Sequence, residues 1–535
     1  MTTDARGQII EDIVGARTAL GIELGSTRIK AVLIGPDHTP LAVGSHDWEN
    51  QFVDRLWTYS LKAVWSGIQQ CYAALAADVQ GRYGVALSSV GALGVSAMMH
   101  GYLAFDGDGE LLTPFRTWRN TNTGAAIERL SVELGANIPH RWSAAHLYQA
   151  VLDREEHVPR IAQLSTLAGY VHSQLTDQHA IGVGDASGMF PIDVTTGGYD
   201  EAKLARFDQL AAEAGADLHL GDLLPVVKLA GDPAGELTEA GARLLDPTGT
   251  LAAGAPLCPP EGDAGTGMVA TNSVAPRTGN VSAGTSIFAM VVLEHELSRA
   301  HRELDLVTTP GGDLVAMVHC NNGASEINAW VGLFAEFARA LGVEADSGRV
   351  FETLFRAALN GAPDGGGIVS FNYLSGEPIT ELEEGRPLLL RSPDSRFDLG
   401  TFMRAHLFAS LATLRIGMDV LLQEEGVGLD HMFAHGGLFK TKGVAQGFLA
   451  AAIDTPVSVG DVAAEGGAWG IAVLAAYLVR KDEGQGLADY LEHQVFAGAS
   501  LETVEPDPVD VAGFATYMER FVAALPVERA ATEHS

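Results

Sequence analysis

The sequence predicts an α/β fold built as two domains, and three observations point there. A chain of 535 residues exceeds what one hydrophobic core usually organises. Short apolar strands alternate with longer stretches of helical spacing in both halves. A glycine followed by two hydroxyl residues closes an apolar hairpin twice, Gly25-Ser26-Thr27 inside LGIELGSTRIKAVLIG and Gly284-Thr285-Ser286 inside GNVSAGTSIFAMVVLE. The two glycines lie 259 residues apart, about half the chain, which is the spacing of a duplicated architecture.

The elements follow in order. After a polar extension over residues 1–18, residues 19 to 48 read as strand, turn and two strands, and 56 to 80 carry helical spacing. A strand is expected at Val90 to Ser96, then a DGDG turn, a proline-containing loop TPFRTWRNTNTG and helices to about residue 177. GAPLCPPEGDAGTG, dense in Gly and Pro, sets a boundary near 275, so the first domain spans 19–275 and the second 276–500. The second half predicts strands around 287 to 293 and 314 to 319, helices at about 325 to 341 and 400 to 424, the strand HMFAHGG at 431 to 437 and a last helix EGGAWGIAVLAAYLVRK. Residues 501–535 read as one peripheral helix.

Composition excludes several classes of function. A formal net charge of −33 repels nucleic-acid backbones, and no basic stripe forms a local exception. The hydrophobic fraction is 47% with 19% charged residues, yet no segment reads as a membrane span, the run GIAVLAAYLV near residue 475 being too short. The N-terminus lacks the basic region and apolar stretch of a secretion signal, which places the protein in the cytoplasm. Cys71, Cys258 and Cys320 are widely spaced and suit neither a disulfide framework nor a zinc site.

The two hairpin turns carry the chemistry. Glycine admits a tight turn and a close ligand, and the hydroxyls with exposed amide hydrogens make a cradle for anionic oxygens; singly, each tripeptide is also an ordinary turn. Together they can grip one polyphosphate. In so acidic a chain, phosphate binding then calls on backbone amides, Arg28, Lys30 and a magnesium ion. Glu23, two residues before Gly25 in an apolar strand, could hold that ion directly or through water; otherwise it is an edge-strand charge.

Asp263 in PPEGDAGTG has small neighbours and could accept a hydroxyl proton as the oxygen attacks phosphorus, although Asp beside Gly is also common turn chemistry. The segment Gly265 to Ala270 formally fits a dinucleotide fingerprint but lacks the preceding strand. Met99 and His100 end the strand SAMMHGY, while Trp118, Asn120 and Asn122 fall in one loop. Such residues suit a polyol, with an aromatic face for the sugar's apolar side and polar groups for its hydroxyls. The segment AHGGLFKTKG ends a strand with two glycines where a base or ribose could approach the backbone. His431 and His435 sit too far apart along a strand for a shared zinc.

With these pieces in order, the chain resembles the FGGY family of carbohydrate kinases, within the actin, Hsp70 and sugar kinase superfamily. The resemblance runs from about Ala19 to Tyr477 through GIELGSTRIK, SAMMHGYLAFDGDGELLTPFRTW, GDASGMFPID, GDAGTG, NVSAGTS, FNYLSGEP, HGGLFKTKG and DVAAEGGAWGIAVLAAY. It implies two ribonuclease H-like domains with an active-site cleft between them, and ATP-dependent phosphorylation of a small sugar with Asp263 as catalytic base. The implied sugar side is Met99, His100, Gly101, Trp118, Asn120, Asp263 and Ala264. The implied ATP side is Gly25, Ser26, Thr27 and Lys30 with Gly284, Thr285, Ser286, Gly436, Gly437 and Thr441, and Glu23 would hold Mg2+.

The MHG triplet is closest to xylulokinases, making D-xylulose the leading acceptor, with L-ribulose, another ketopentose or a tetrulose as runners-up. Glu23 stands where the family usually has aspartate, Ala264 where glutamine is usual, WRNTNT where the sugar loop has WxDxR, and Thr441-Lys442 where relatives often have asparagine. A nucleotide-switched ATPase on the same scaffold is the reading of a different class. The expected partner is a small-molecule sugar, with no nucleic acid and no membrane, and a homodimer is admitted.

Overall fold

The computed structural model describes residues 3–344, 346–460, 466–499 and 501–534. The chain gathers into two compact units, Met1–Ala275 with Leu306–Val315 and Val462–Gly498, and Pro276–Asp305 with Ala316–Asp461 and Ala499–Ser535. The units therefore depart from a linear division at residue 275: the Gly466–Arg480 helix, although far along the chain, packs with the first unit.

In the first unit, helix α1 (Thr3–Val14) covers one end of the core through Ile9, Ile10 and Ile13. The sheet has the order β5-β4-β1-β2-β3. Here β1 is Ala19–Leu24, β2 Arg28–Ile34, β3 Pro40–Asp47, β4 Ala92–Ala97 and β5 Glu261–Gly262. β1 and β2 form an antiparallel hairpin, and β1 pairs in parallel with β4, which pairs in parallel with β5. Every residue of β4 is buried, as expected of a central strand covered on both faces.

Glycines let helices lie directly on this sheet. A Cβ at Gly44 would come 2.2 Å from Cys71 O in helix α2 (Leu61–Tyr83), and one at Gly21 would come 2.1 Å from Ala468 O in the Gly466–Arg480 helix. Gly21 pairs with Val32 and Gly44 with Ala31, adjacent residues of β2, so the two helices cover opposite faces. Glu23, two residues beyond Gly21, shares the face of the Gly466–Arg480 helix. α2 begins at Leu61, where the Ser60 hydroxyl caps the Ala63 N–H at 3.1 Å; the preceding Leu56–Thr58 is a strand rather than helix.

Asp263, expected in a Gly/Pro-rich turn, is instead the first residue of helix α3 (Asp263–Ala270), directly after β5. The would-be dinucleotide segment from Gly265 to Ala270 is thus helical.

The second unit repeats the pattern around β6 (Thr278–Ala283), β7 (Ile287–Val292), β8 (Leu314–Cys320), β9 (His431–His435), β10 (Val457–Gly460) and β11 (Leu501–Val504), in the order β8-β7-β6-β9-β10-β11. Again a hairpin, β6 and β7, is followed by parallel pairing of its first strand with β9 and of β9 with β10. Helix α4 spans Ser325–Ala340 and α5 Leu399–Asp419, the latter continuing as a wider turn to Glu424.

Two expectations are corrected here. Leu399–Glu424 is, by length and composition, apolar enough to cross a membrane, but 78% of its apolar window is buried inside the protein, so its apolarity serves the core. The C-terminal segment holds a strand as well as the expected helix. β11 joins the sheet edge beside β10, and the Pro508–His534 helix buries Phe514, Tyr517 and Phe521.

Candidate active site

Both glycine-hydroxyl turns are closed in one way. In the first, the Gly25 carbonyl accepts from Trp48 Nε1 at 2.7 Å, the Ser26 carbonyl from the Tyr59 hydroxyl at 2.6 Å, and the Thr27 carbonyl from the Trp48 N–H at 3.1 Å. In the second, the Gly284 carbonyl accepts from the Ala324 N–H at 2.9 Å, the Thr285 carbonyl from the Gly323 N–H at 2.8 Å, and the Ser286 carbonyl from the Gly284 N–H at 2.9 Å. In a trans peptide the N–H points opposite to the C=O. Holding these carbonyls from behind therefore turns the N–H groups of Ser26 and Thr27, and of Thr285 and Ser286, outward. Each turn presents donors for an anion. Neither Gly25 nor Gly284 has a positive φ. A Cβ at Gly284 would meet nothing within 4 Å, so neither a neighbouring atom nor backbone strain calls for glycine there.

Four carboxyl groups of the first unit form a connected set. Asp263 Oδ1 accepts from the Met99 N–H at 3.1 Å; burial raises its carboxyl above the ordinary aspartate range, opposed by that hydrogen bond. Glu23 lies opposite Lys30 in the hairpin and its Oε2 accepts from the Ala468 N–H at 3.1 Å. Burial pushes Glu23 up to about 7, the charge of Asp263 adds to the rise, and Lys30 and the Ala468 amide oppose it. A divalent cation beside Glu23 would offset this repulsion, so the Glu23 carboxyl fits the magnesium role expected of it.

Asp185 and Glu261 complete the set and escaped the residue-level sequence reading. Asp185 is 1% exposed; Thr166 donates to its Oδ2 at 2.6 Å, while Oδ1 has no partner among the described residues. Glu261 accepts the N–H of Asp185 at 2.9 Å and that of Gly184 at 3.3 Å. Burial lifts Asp185 to about 7 and Glu261 to about 8, each raised further by a neighbouring carboxylate, Asp263 for the first and Asp185 for the second. A Cβ at Gly182 or Gly184 would come within 2.4 Å of a Glu261 oxygen, so the glycines of GVGDASG make room for this acid. The close spacing of glycine and acid in GVGD and PEGD was the available signal.

The sugar-side residues divide. His100, at φ +72° and buried, has Nδ1 3.3 Å from Gly188 O, and a Cβ at Gly188 would lie 2.5 Å from that nitrogen. Gly101, at φ +101°, could carry no side chain without meeting Phe115 and Arg116 O at 2.8 Å. Met99, His100, Asp185, Gly188 and Asp263 are thus brought together by β4, β5 and the GDASG turn. Ala264 follows on α3 as a small, partly buried residue.

Trp118 stands beside the first glycine-hydroxyl turn, donating from Nε1 to Ser26 Oγ at 3.3 Å. Asn120 is 4% exposed, with Oδ1 accepting the Trp57 N–H and Nδ2 donating to the carbonyls of Trp57 and Thr117, all within 3.0 Å. It therefore clips the strand Leu56–Thr58, with both Nδ2 donors spent on backbone carbonyls. Arg28 pairs on the surface with Asp47 at 2.6 Å, leaving Lys30 as the cation beside Glu23.

In the second unit, Gly436 (φ +108°) would place a Cβ 2.3 Å from Ala283 O, so the end of β9 lies against the end of β6, one residue before the second turn. Gly437 begins a short 3-10 turn, Gly437–Lys440, and Thr441 follows it, 6% exposed. His431 Nε2 lies 2.8 Å from Ser458 Oγ. The DVAAE part of the expected adenosine region lies outside the described residues.

The sequence matches the models of the FGGY family of carbohydrate kinases, the N-terminal domain over residues 18–248 and the C-terminal domain over 279–479. No curated protein matches it by sequence. Among solved structures, a xylulose kinase from Rhodospirillum rubrum has a TM-score of 0.77 at 20% identity, covering 96% of this chain and 99% of that one. A gluconate kinase from Lactobacillus acidophilus gives 0.78 at 15% identity over 97% and 99% of the two chains. The glycerol kinase from Plasmodium falciparum gives 0.73 at 13% over 95% and 97%. These likenesses show a shared fold.

Proposed function

The chain belongs to the FGGY family of carbohydrate kinases and is a sugar kinase, and from that premise we propose that it transfers the γ-phosphoryl group of ATP to a terminal hydroxyl of a ketopentose, D-xylulose. The observation that carries the reading is the hydrogen bond from Met99 N–H to Asp263 Oδ1, 3.1 Å long. The Met99-His100-Gly101 turn that would receive the sugar also fixes the carboxylate that would deprotonate it. Acceptor recognition and base are one construction.

In this reading Asp263 takes the proton of the attacking hydroxyl, the oxygen bonds to the γ-phosphorus, and ADP leaves. Burial raises the proton affinity of Asp263, which favours its taking that proton. The outward amides of Ser26 and Thr27, and of Thr285 and Ser286, hold phosphate oxygens, and Gly436, Gly437 and Thr441 serve the adenosine end. Mg2+, held by Glu23 directly or through water, would neutralise charge on the phosphates. The MHG triplet and the xylulose kinases among the structural neighbours support a ketopentose; a cytoplasmic location is proposed with it.

ADP release measured over a panel of acceptors tests the proposal. D-xylulose is expected to give kcat/KM at least about ten-fold above glycerol, since one misplaced hydroxyl leaves a buried polar group unpaired at about 1 to 3 kcal/mol. Glycerol or water as good as every ketopentose would refute it.

A further inference from the structure

The segment FNYLSGEP has no part in the chemistry above, yet it carries Glu377, which is fully buried with Oε1 lacking a partner among the described residues. Its Oε2 accepts both from the Asn322 N–H at 3.3 Å and from Asn322 Nδ2 at 3.1 Å. Asn322 is saturated in return. Its Oδ1 accepts the N–H groups of Leu374 and Ser375 at 2.9 and 3.1 Å, and Nδ2 also donates to the Ser375 carbonyl at 3.1 Å.

Three successive peptides are locked as a result. Glu377 holds the one before Asn322. Asn372 Nδ2 donates to the carbonyls of Asn322 at 2.9 Å and Gly323 at 2.8 Å, and Ser410 also donates to the latter at 3.1 Å. The N–H groups at the far side of these peptides, Gly323 and Ala324, are the donors that hold the carbonyls of Thr285 and Gly284. A Cβ at Gly323 would lie 2.7 Å from Gly284 O, so the strut touches the turn backbone to backbone.

We propose that Glu377 is a positioning residue for nucleotide binding: through Asn322 it sets the Asn321–Ala324 strut that orients the outward amides of the Gly284-Thr285-Ser286 turn. The proposal rests on the reading of that turn as a phosphate site. A carboxylate so placed costs desolvation that an apolar residue would avoid, which fits a residue retained for register rather than for stability.

The test compares Glu377→Leu, which keeps bulk and removes the acceptor, with Glu377→Gln, whose amide oxygen can accept both Asn322 donors. Titration calorimetry of the full chain with MgADP is expected to show about ten-fold weaker binding for Glu377→Leu, the worth of roughly one charged hydrogen bond, and binding within about three-fold of wild type for Glu377→Gln. KM for ATP should rise while KM for the sugar stays unchanged, a split that general destabilisation would not produce. Asn372→Ser, which frees the carbonyls of Asn322 and Gly323 without touching the buried acid, should weaken MgADP in the same way and serves if Glu377→Leu does not fold. Variants that fold and bind MgADP like wild type overturn the proposal alone. A wild-type chain that does not bind MgADP overturns the phosphate reading of the turn and the proposal with it.

Discussion

Asp263 illustrates how one residue acquires a role from its surroundings. An aspartate beside glycine is ordinary turn material, but at the start of α3, with Oδ1 on the Met99 amide, it is a fixed carboxylate with a raised proton affinity, suited to the base role proposed for it. Asp263→Asn should lower kcat by on the order of 10²- to 10⁴-fold while MgADP still binds, because a proton acceptor is lost and the fold is kept. The acid limb of kcat/KM against pH should lie above the ordinary aspartate value, since activity falls once the base is protonated and burial raises the pH at which that happens. A limb near pH 4 would separate Asp263 from the base role. Glu23→Gln should raise the magnesium concentration needed for half-maximal activity, and an unchanged titration would mark Glu23 as structural.

At the scale of elements, backbone-to-backbone contact decides the placement of the acids. The Gly466–Arg480 helix reaches Glu23 because Gly21, Gly467 and Gly470 remove side chains from its path; a Cβ at Gly470 would come 2.1 Å from Thr266 O on α3. Gly470→Ala should therefore destabilise the first unit by roughly 1 to 3 kcal/mol, read as a lower melting temperature, because backbone on both sides prevents relaxation. Gly188→Ala should act differently. Its methyl would press on the His100 ring, so KM for the sugar should rise with KM for ATP nearly unchanged. Equal changes in both would show that the GDASG turn serves the fold as a whole.

For the whole molecule, buried acids and buried histidines pull the response to pH in opposite directions. Burial lifts Glu261 to about 8 and Asp185 to about 7, whereas unfolded carboxyls release their protons near pH 4. Between those limits these two carboxyls bind more protons in the folded chain, so the stability they contribute is lost as pH rises. Histidines such as His146 and His172, which burial holds below the ordinary imidazole value, contribute stability that is gained as pH rises toward about 6.5. Glu261→Gln should therefore make the slope of melting temperature between pH 6 and pH 8 less negative or more positive, even if it lowers stability at every pH. A slope unchanged by the substitution would exclude Glu261 as a contributor to it.

The two hairpins with their Gly-Ser-Thr and Gly-Thr-Ser turns, the parallel strands beside them and the helices α2, α4 and α5 were legible in the sequence, because each rests on local periodicity and turn chemistry. Asp263 and the MHG turn were legible as motifs. What only the tertiary structure decided is how residues far apart in the chain complete one another. Trp48 and Tyr59 close the first turn, Asn120 is consumed by Trp57, Glu261 lies in a glycine cradle made by GVGDASG, and Glu377 reaches the second turn through Asn322. Local sequence carries the strand, the turn and the cap, since their energies depend on neighbours within a few residues. The direction of a buried carboxyl and its proton affinity depend on which amides and charges the fold brings within hydrogen-bonding reach, and no spacing along the chain encodes those.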